Sequence, residues 1–292
     1  MVKISFLNTF KNKNMKPLAL RILLLLLLAT LPCSLHAQST YLIFKLTNAA
    51  PGSTQKLREF PFERNGETIT IGTYGSYGSG INFQAGIGKM LNPTFGFEIT
   101  GEFAYGRWHK TDIEEYTNEY EFKGYLREKV NTVLIKPVVV IRNSGDLLSF
   151  YTKLGIIIAP FIRKYEQVEV SDREYATNTS TLSQFNSIEK ARLKVGFTAS
   201  FGVSFRVSER VSLLGEVSGQ IMSLPIHKGH YTKAVQNGLD VLPYLNKADK
   251  EWEYKESGYL DKDQPADQPG IRLYNPANYT AIGLSAGLVY HL

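Results

Sequence analysis

The sequence predicts an all-β chain, folded as one antiparallel, up-and-down β-barrel of eight strands. Three observations carry that prediction. Apolar residues recur at every second position in segment after segment, long and short connections alternate between those segments, and nothing beyond residue 38 reads as a long apolar helix. Residues 191–206 show the alternation most fully. Ala191, Leu193, Val195, Phe197, Ala199, Phe201, Val203 and Phe205 hold the odd positions, and Arg192, Lys194, Gly196, Thr198, Ser200, Gly202, Ser204 and Arg206 the even ones. A period of two puts one set on each face of a strand.

The other strands follow in order. Segment 40–47, the weakest, sets Leu42, Phe44 and Leu46 against Tyr41 and Lys45. Segment 81–90 sets Ile81, Phe83 and Ile87 against Asn82, Gln84 and Gly88. In 95–107, Phe95, Phe97, Ile99, Phe103 and Tyr105 oppose Glu98, Thr100, Glu102 and Ala104. Segment 129–141 is apolar on both faces around Lys136 and Pro137. In 147–163, Leu148, Phe150, Leu154, Ile156 and Ile158 oppose Tyr151, Lys153 and Gly155. Segments 211–222 and 278–292 alternate likewise, with Glu216 on the polar face of the first and Tyr290 on the apolar face of the second. The connections 91–94, 142–146 and 207–210 are short and carry turn residues such as Asn92-Pro93 and Asn143-Ser144-Gly145. The connections 48–80, 106–128, 164–190 and 225–277 are long. Strict alternation gathers the short turns at one end of a barrel and the long loops at the other.

Residues 1–37 read as a secretory signal peptide, with the barrel domain spanning 38–292. Lys3, Lys11, Lys13, Lys16 and Arg21 precede the apolar run 22–29, and Leu35-His36-Ala37 follows it. The run is too short for a membrane helix, and Met15 is a second candidate start. Cys33 also suggests a lipidation site, but Pro32 stands where such signals want a small residue. The net charge of +6 comes mostly from this leader. Without its five cations, 28 basic residues stand against 27 acidic ones, which gives no support for a nucleic-acid partner. The chain's one cysteine lies in the leader too, so the rest has no disulfide, zinc thiolate or cysteine nucleophile. An aromatic share of 12% argues against disorder.

Alternation alone does not say which face points outward. Four features favour a membrane barrel with its apolar face on lipid over a soluble secreted β-sandwich. The strands reach the roughly 9–11 residues that a tilted span needs. The loops are long at one end only. The polar face carries Gly and Ser beside Glu98, Glu102, Lys153, Arg192, Lys194 and Glu216. Phe95, Trp108, Phe161, Tyr165, Phe205 and Tyr290 sit near strand ends, where aromatics prefer the lipid–water boundary. The charged set, three acids and three bases, predicts an ion-pair plug across the lumen; the alternative is that some of them, Lys153 and Arg192 in particular, are solvated at its water-filled mouths.

Three segments carry a resemblance to a known family. They are Gly80–Gly88 with Asn92–Glu98, Gly196–Phe205, and the closing Gly287-Leu288-Val289-Tyr290-His291-Leu292. Over about 40–292 the pattern resembles the eight-stranded bacterial outer-membrane barrels, porin-like proteins of the type formed by the transmembrane part of outer membrane protein A. The resemblance implies short periplasmic turns, long extracellular loops, a place in the outer membrane of a Gram-negative cell, and recognition of the last strand by barrel-assembly machinery. Such chains usually end in an aromatic residue. This one ends in Leu292, with the aromatic at Tyr290.

Candidate chemistry is sparse, and the expectation is no catalytic residue, no cofactor and no metal site. His227 and His230 have a metal-compatible spacing, but Lys228 stands between them without an adjacent carboxylate. His109 and Asp112 fall near a barrel rim without a serine motif. The acidic stretch 112–121 and the Asp263-Gln264-Pro265, Asp267-Gln268-Pro269 repeat read as solvated loop. Tyr231, Tyr244, Trp252, Tyr254 and Tyr259 concentrate in the longest loop and form the candidate recognition surface. The expected role is therefore a non-enzymatic, cell-surface or structural protein whose partners are membrane lipid and an extracellular ligand. A small-solute channel and a rim-sited lipid-modifying enzyme are the alternatives.

Overall fold

A computed structural model describes residues 39–292, apart from 54, 65–66, 117–118, 144, 146, 256–264 and 274–275. The expected leader, 1–37, lies outside the described residues. The strands anticipated from alternation are present as β1 (Thr40–Pro51), β2 (Gly80–Met90), β3 (Phe95–Gly106), β4 (Tyr120–Arg142), β5 (Leu148–Glu174), β6 (Lys194–Arg206), β7 (Val211–Ile221) and β8 (Ala281–His291). Each pairs antiparallel with its neighbours in sequence order. The circuit closes where β1 meets β8, from Tyr41 opposite His291 to Pro51 opposite Ala281. The chain is thus a transmembrane-type, antiparallel up-and-down barrel, in which closure pairs the backbone groups of every wall strand.

The burial pattern fixes which face is outside. Along β3, exposed and buried residues alternate without exception. The exposed set is the apolar one, with Phe197 at 69%, Leu284 at 68% and Ile221 at 65% exposure. A soluble sandwich would pack those residues together, and here they face away from the interior. The aromatics mark two levels on this outer surface. Phe95, Phe205 and Tyr290 stand at the short-turn end, and Trp108, Phe161 and Tyr165 at the long-loop end. On β3, Tyr105 lies ten positions after Phe95. At about 3.4 Å per residue and a tilt of about 40°, that spans roughly 25 Å of height, matching the apolar band of a membrane barrel.

One irregularity re-aims a strand. Val133 pairs with Phe161 and Ile135 with Ile158, so Ala159 and Pro160 together oppose Leu134. Proline has no N–H for a ladder bond, and a bulge is where a sheet tolerates it. Past the bulge the inward positions on β5 switch from odd to even. Ile157 and Ala159 are buried before it, and Ile162, Lys164 and Glu166 after it.

All four long connections differ from the expectation of loops, each carrying paired strands. β4 starts at Tyr120 and β5 continues to Glu174. Strand His109–Tyr116 pairs with β4, and strand Thr179–Ala191 pairs with β5. Ile226–Gln236 adds to Thr179–Ala191, Glu251–Lys255 adds to that, and Gly270–Leu273 joins in parallel. Most of 106–128 and 164–190 is therefore sheet that continues from the wall beyond the barrel. The first long connection holds a separate hairpin, Gln55–Arg64 with Glu67–Gly75.

An outward residue at mid-wall should not accept charge. Phe201→Arg is expected to destabilise the folded barrel by about 2–4 kcal/mol. Urea unfolding in lipid vesicles checks this, and an unchanged midpoint would contradict an outer surface facing lipid.

Candidate functional site: the packed lumen and the loop-end cluster

The middle of the lumen holds Glu98 and Glu102 from β3, Glu216 from β7, Lys45 from β1, Lys136 from β4 and Lys153 from β5. All six are buried. Lys153 Nζ lies 2.9 Å from both Glu98 oxygens and 3.4 Å from Glu216 Oε2. Lys45 Nζ donates to Glu216 Oε1 at 2.8 Å, and Lys136 Nζ to Glu102 Oε2 at 2.5 Å. Neutral donors complete the carboxylates. Tyr41 Oη donates to Glu98 at 3.0 Å, Tyr151 Oη to Glu216 at 3.2 Å, and Asn82 Nδ2 and Gln84 Nε2 to Glu102. Three negative and three positive charges meet here, so the layer is neutral as a group. Buried charge persists only when paired and hydrogen-bonded in this way.

Two glycines make the layer possible. A Cβ at Gly88 would lie 2.2 Å from the Tyr41 ring, and one at Gly202 would lie 2.4 Å from the Tyr151 ring. Only a bare backbone lets each tyrosine lie across the neighbouring strand and reach its carboxylate.

Apolar layers close the lumen on either side. At the short-turn end Ile43, Met90, Val138, Val140, Leu214 and Val289 cluster around Tyr41 and Tyr151. At the long-loop end Leu134, Ile157, Ala159 and Ile162 from the wall meet Leu57, Tyr77, Leu224 and Tyr279 from the connections. The space left inside the charged layer is about 20 Å3, and a second cavity beside Arg142 and His291 holds about 40 Å3. Such volumes hold one or two isolated waters, not a file of solute.

Placement of the anticipated residues differs in detail. The structure brings Glu98, Glu102, Glu216 and Lys153 together. Arg192 and Lys194 are exposed and take no part. The alternation of 191–206 runs past the start of β6 at Lys194, and Arg192 falls in the joint between the loop-end sheet and the wall. Their places are taken by Lys45 and Lys136. Lys45 stood on the polar face of its segment. Lys136 was hidden in a segment apolar on both faces, because Leu134, Val138 and Val140 fill the interior layers beside it.

A second buried cluster lies at the loop end. Lys164 Nζ is 2.7 Å from Glu128, 3.2 Å from Glu189 and 3.5 Å from Glu166. Tyr77 Oη donates to Glu128 at 2.8 Å. Trp252 Nε1 and Tyr254 Oη donate to Glu189 at 3.2 and 2.6 Å. Sequence reasoning missed this cluster, because its members fall in stretches read as loop. It also corrects the expected recognition surface. Trp252 is 2% exposed, with Tyr231 against one side of it and Arg272 over its ring at 3.7 Å. Trp252 and Tyr254 fasten the long connection to the sheet, and Tyr244 alone is strongly presented among the described members of the set. Tyr259 lies outside the described residues.

The histidine candidates gain little. Among the described residues no group of three or more potential ligands could hold a metal ion. His109 Nε2 lies 3.3 Å from Ser79 Oγ, a serine–histidine contact the sequence did not reveal. That nitrogen is also 3.1 Å from the Ser76 carbonyl, which only accepts. Nε2 therefore carries the proton and cannot take one from Ser79, whose hydroxyl already donates to Ser76. Asp112 pairs with Lys110 instead of His109.

No protein-family model matches the chain, and no curated protein is significantly similar to it in sequence. Solved structures do match by shape. A major outer membrane protein from Thermus thermophilus is 10% identical, with a TM-score of 0.37 over 88% of this chain and 100% of that one. CarO2 of Acinetobacter baumannii is 9% identical, with a TM-score of 0.34 over 87% and 99%. The attachment invasion locus protein Ail of Yersinia pestis, in complex with the heparin analogue sucrose octasulfate, is 10% identical, with a TM-score of 0.26 over 87% and 97%. None is similar enough to lend this chain a role.

Two measurements test the geometry. Lys153→Met leaves the buried Glu98 without its cation, while Glu216 keeps Lys45, and is expected to cost about 3–5 kcal/mol, whereas replacing Lys136 and Glu102 together by Met and Leu is expected to cost far less than replacing either alone. Chemical unfolding of the single and double variants checks both, and additive losses would dissolve the pair. At the loop end, burial and the adjacent Glu189 carboxylate push the Tyr254 phenol up to about 12. A raised value favours the folded state below the ordinary tyrosine pKa of about 10. The docking of the long connection should therefore hold at neutral pH and loosen as pH climbs from about 10 to 12, read by Trp252 fluorescence against a Trp108→Phe background.

Proposed function

We propose that the chain is an integral outer-membrane protein of a Gram-negative bacterium, without enzymatic or channel activity, whose role is exercised by the sheet and connections at its long-loop end. One observation carries this reading: a closed wall with an apolar exterior surrounds an interior filled by an ion-paired layer between two apolar ones. A closed barrel is the β architecture that survives in hydrocarbon, because no edge is left unpaired. Eight strands leave an interior that side chains can fill, and here they do.

The working part then lies outside the bilayer. Strands added to β4 and β5 extend the wall into an open sheet, fastened from within by the Lys164 cluster. A rigid platform with exposed turns suits contact with an extracellular ligand better than passage of one. The last strand, with Tyr290 turned outward, supplies the segment that assembly machinery would read.

Planar-bilayer recording on the purified full-length barrel tests the non-conducting assignment. Open steps are expected to be absent in the native chain. Steady, ion-selective conductance would replace this reading with that of a small-solute channel.

A further inference from the structure

On the outer surface, level with the loop-end aromatics, three cations stand side by side on neighbouring strands. Arg163 on β5 pairs directly with Lys190, and Lys190 pairs directly with Lys228 on Ile226–Gln236. Directly opposed residues share a face with Cβ atoms about 5 Å apart, and like charges placed so repel. Lys129 lies diagonal to Arg163 on β4, and Arg192 follows two residues after Lys190.

Carboxylates meet the row only at its Lys228 end. Glu128, Glu166 and Glu189 are buried around Lys164 on the opposite face. Glu253 pairs with Lys228 at the far end of the row. The next outward carboxylate along β5 is Glu169, six residues from Arg163 and so roughly 20 Å away. Arg163 Nε is buried without a hydrogen-bond partner, while its guanidinium lies 4.6 Å over the Phe161 ring. Lys129 is itself buried, its Nζ donating to Tyr105 Oη at 2.7 Å among the rings of Tyr105, Trp108 and Tyr165.

The level of the row decides what meets it. Below it the outer surface is apolar, with Phe161, Leu154 and Ile135 exposed. Cations at the edge of such a band stand at headgroup height, where stems lie against acyl chains and charged tips reach phosphate. We propose that the Arg163–Lys190–Lys228 row, followed by Arg192, seats the phosphate groups of an anionic lipid headgroup in the leaflet at the long-loop end. Arg163 presents a planar fork suited to phosphate oxygens, and the lysines add point charges. The inference rests on the membrane reading above, and it adds a lipid class and a place.

Native mass spectrometry of the full-length chain, extracted in mild detergent and offered phosphatidylglycerol or phosphatidylcholine, tests it. The native chain should retain phosphatidylglycerol in preference. R163Q/K190Q should weaken that retention by about fivefold per charge removed, while R206Q, at the short-turn end, should leave it unchanged. A heat-dependent gel shift verifies that each variant is folded, and R192Q/K228Q replaces the first variant should it fail to fold. Equal retention by native and variant chains overturns the site, as does full displacement by inorganic phosphate, which would mark a free-anion site. A chain that inserts into vesicles of either lipid without preference sinks only this inference. One that enters neither sinks the membrane reading itself.

Discussion

The buried charge layer is the constraint around which the interior is arranged. A closed wall keeps water out, and in that medium an unpaired ion costs several kcal/mol. Three carboxylates must therefore find three ammonium groups among strands far apart in sequence. Lys45 and Glu216 lie 171 positions apart, and Lys153 and Glu98 lie 55 apart. The glycines at 88 and 202 serve the same end, since each clears the space in which a tyrosine reaches a carboxylate. The apolar layers on either side keep the pairs dry, which strengthens each attraction and raises the cost of losing any member.

The wall and the sheet above it are one structure with two solvents. Along β4 and β5 the same strands pass from a lipid-facing band into water, and the bulge at Pro160 falls near that transition. By shifting the inward set from odd to even positions, the bulge points Lys164 inward and leaves Arg163 outside. A single extra residue thus divides the two neighbouring cations between a buried carboxylate cluster and a headgroup-facing row. The strands laid against β5 inherit that division, with Glu189 turned inward and Lys190 outward.

The long connection between β7 and β8 is held by hydrogen bonds as well as apolar contact. Trp252 and Tyr254 converge on one oxygen of Glu189, whose carboxylate also meets Lys164. The aromatic content of this connection therefore stiffens the platform more than it decorates the surface. A surface held in this way can present Tyr244 and the neighbouring turns without reorganising the barrel beneath.

The sequence by itself determined the barrel. Period-two alternation names the strands, because a strand's side chains must divide between two faces, and the alternation of short and long connections orders them around a closed wall. It also placed Glu98, Glu102, Glu216 and Lys153 on the inner face. Only the tertiary structure decided which cations answer those acids, that Arg192 and Lys194 stand outside, that the expected loops carry paired strands, and that Trp252 is buried. The physical reason is common to all four. Alternation is a property of one strand, whereas pairing partners, the height of a residue along the barrel and the switch of face at a bulge depend on register between strands that no local pattern encodes.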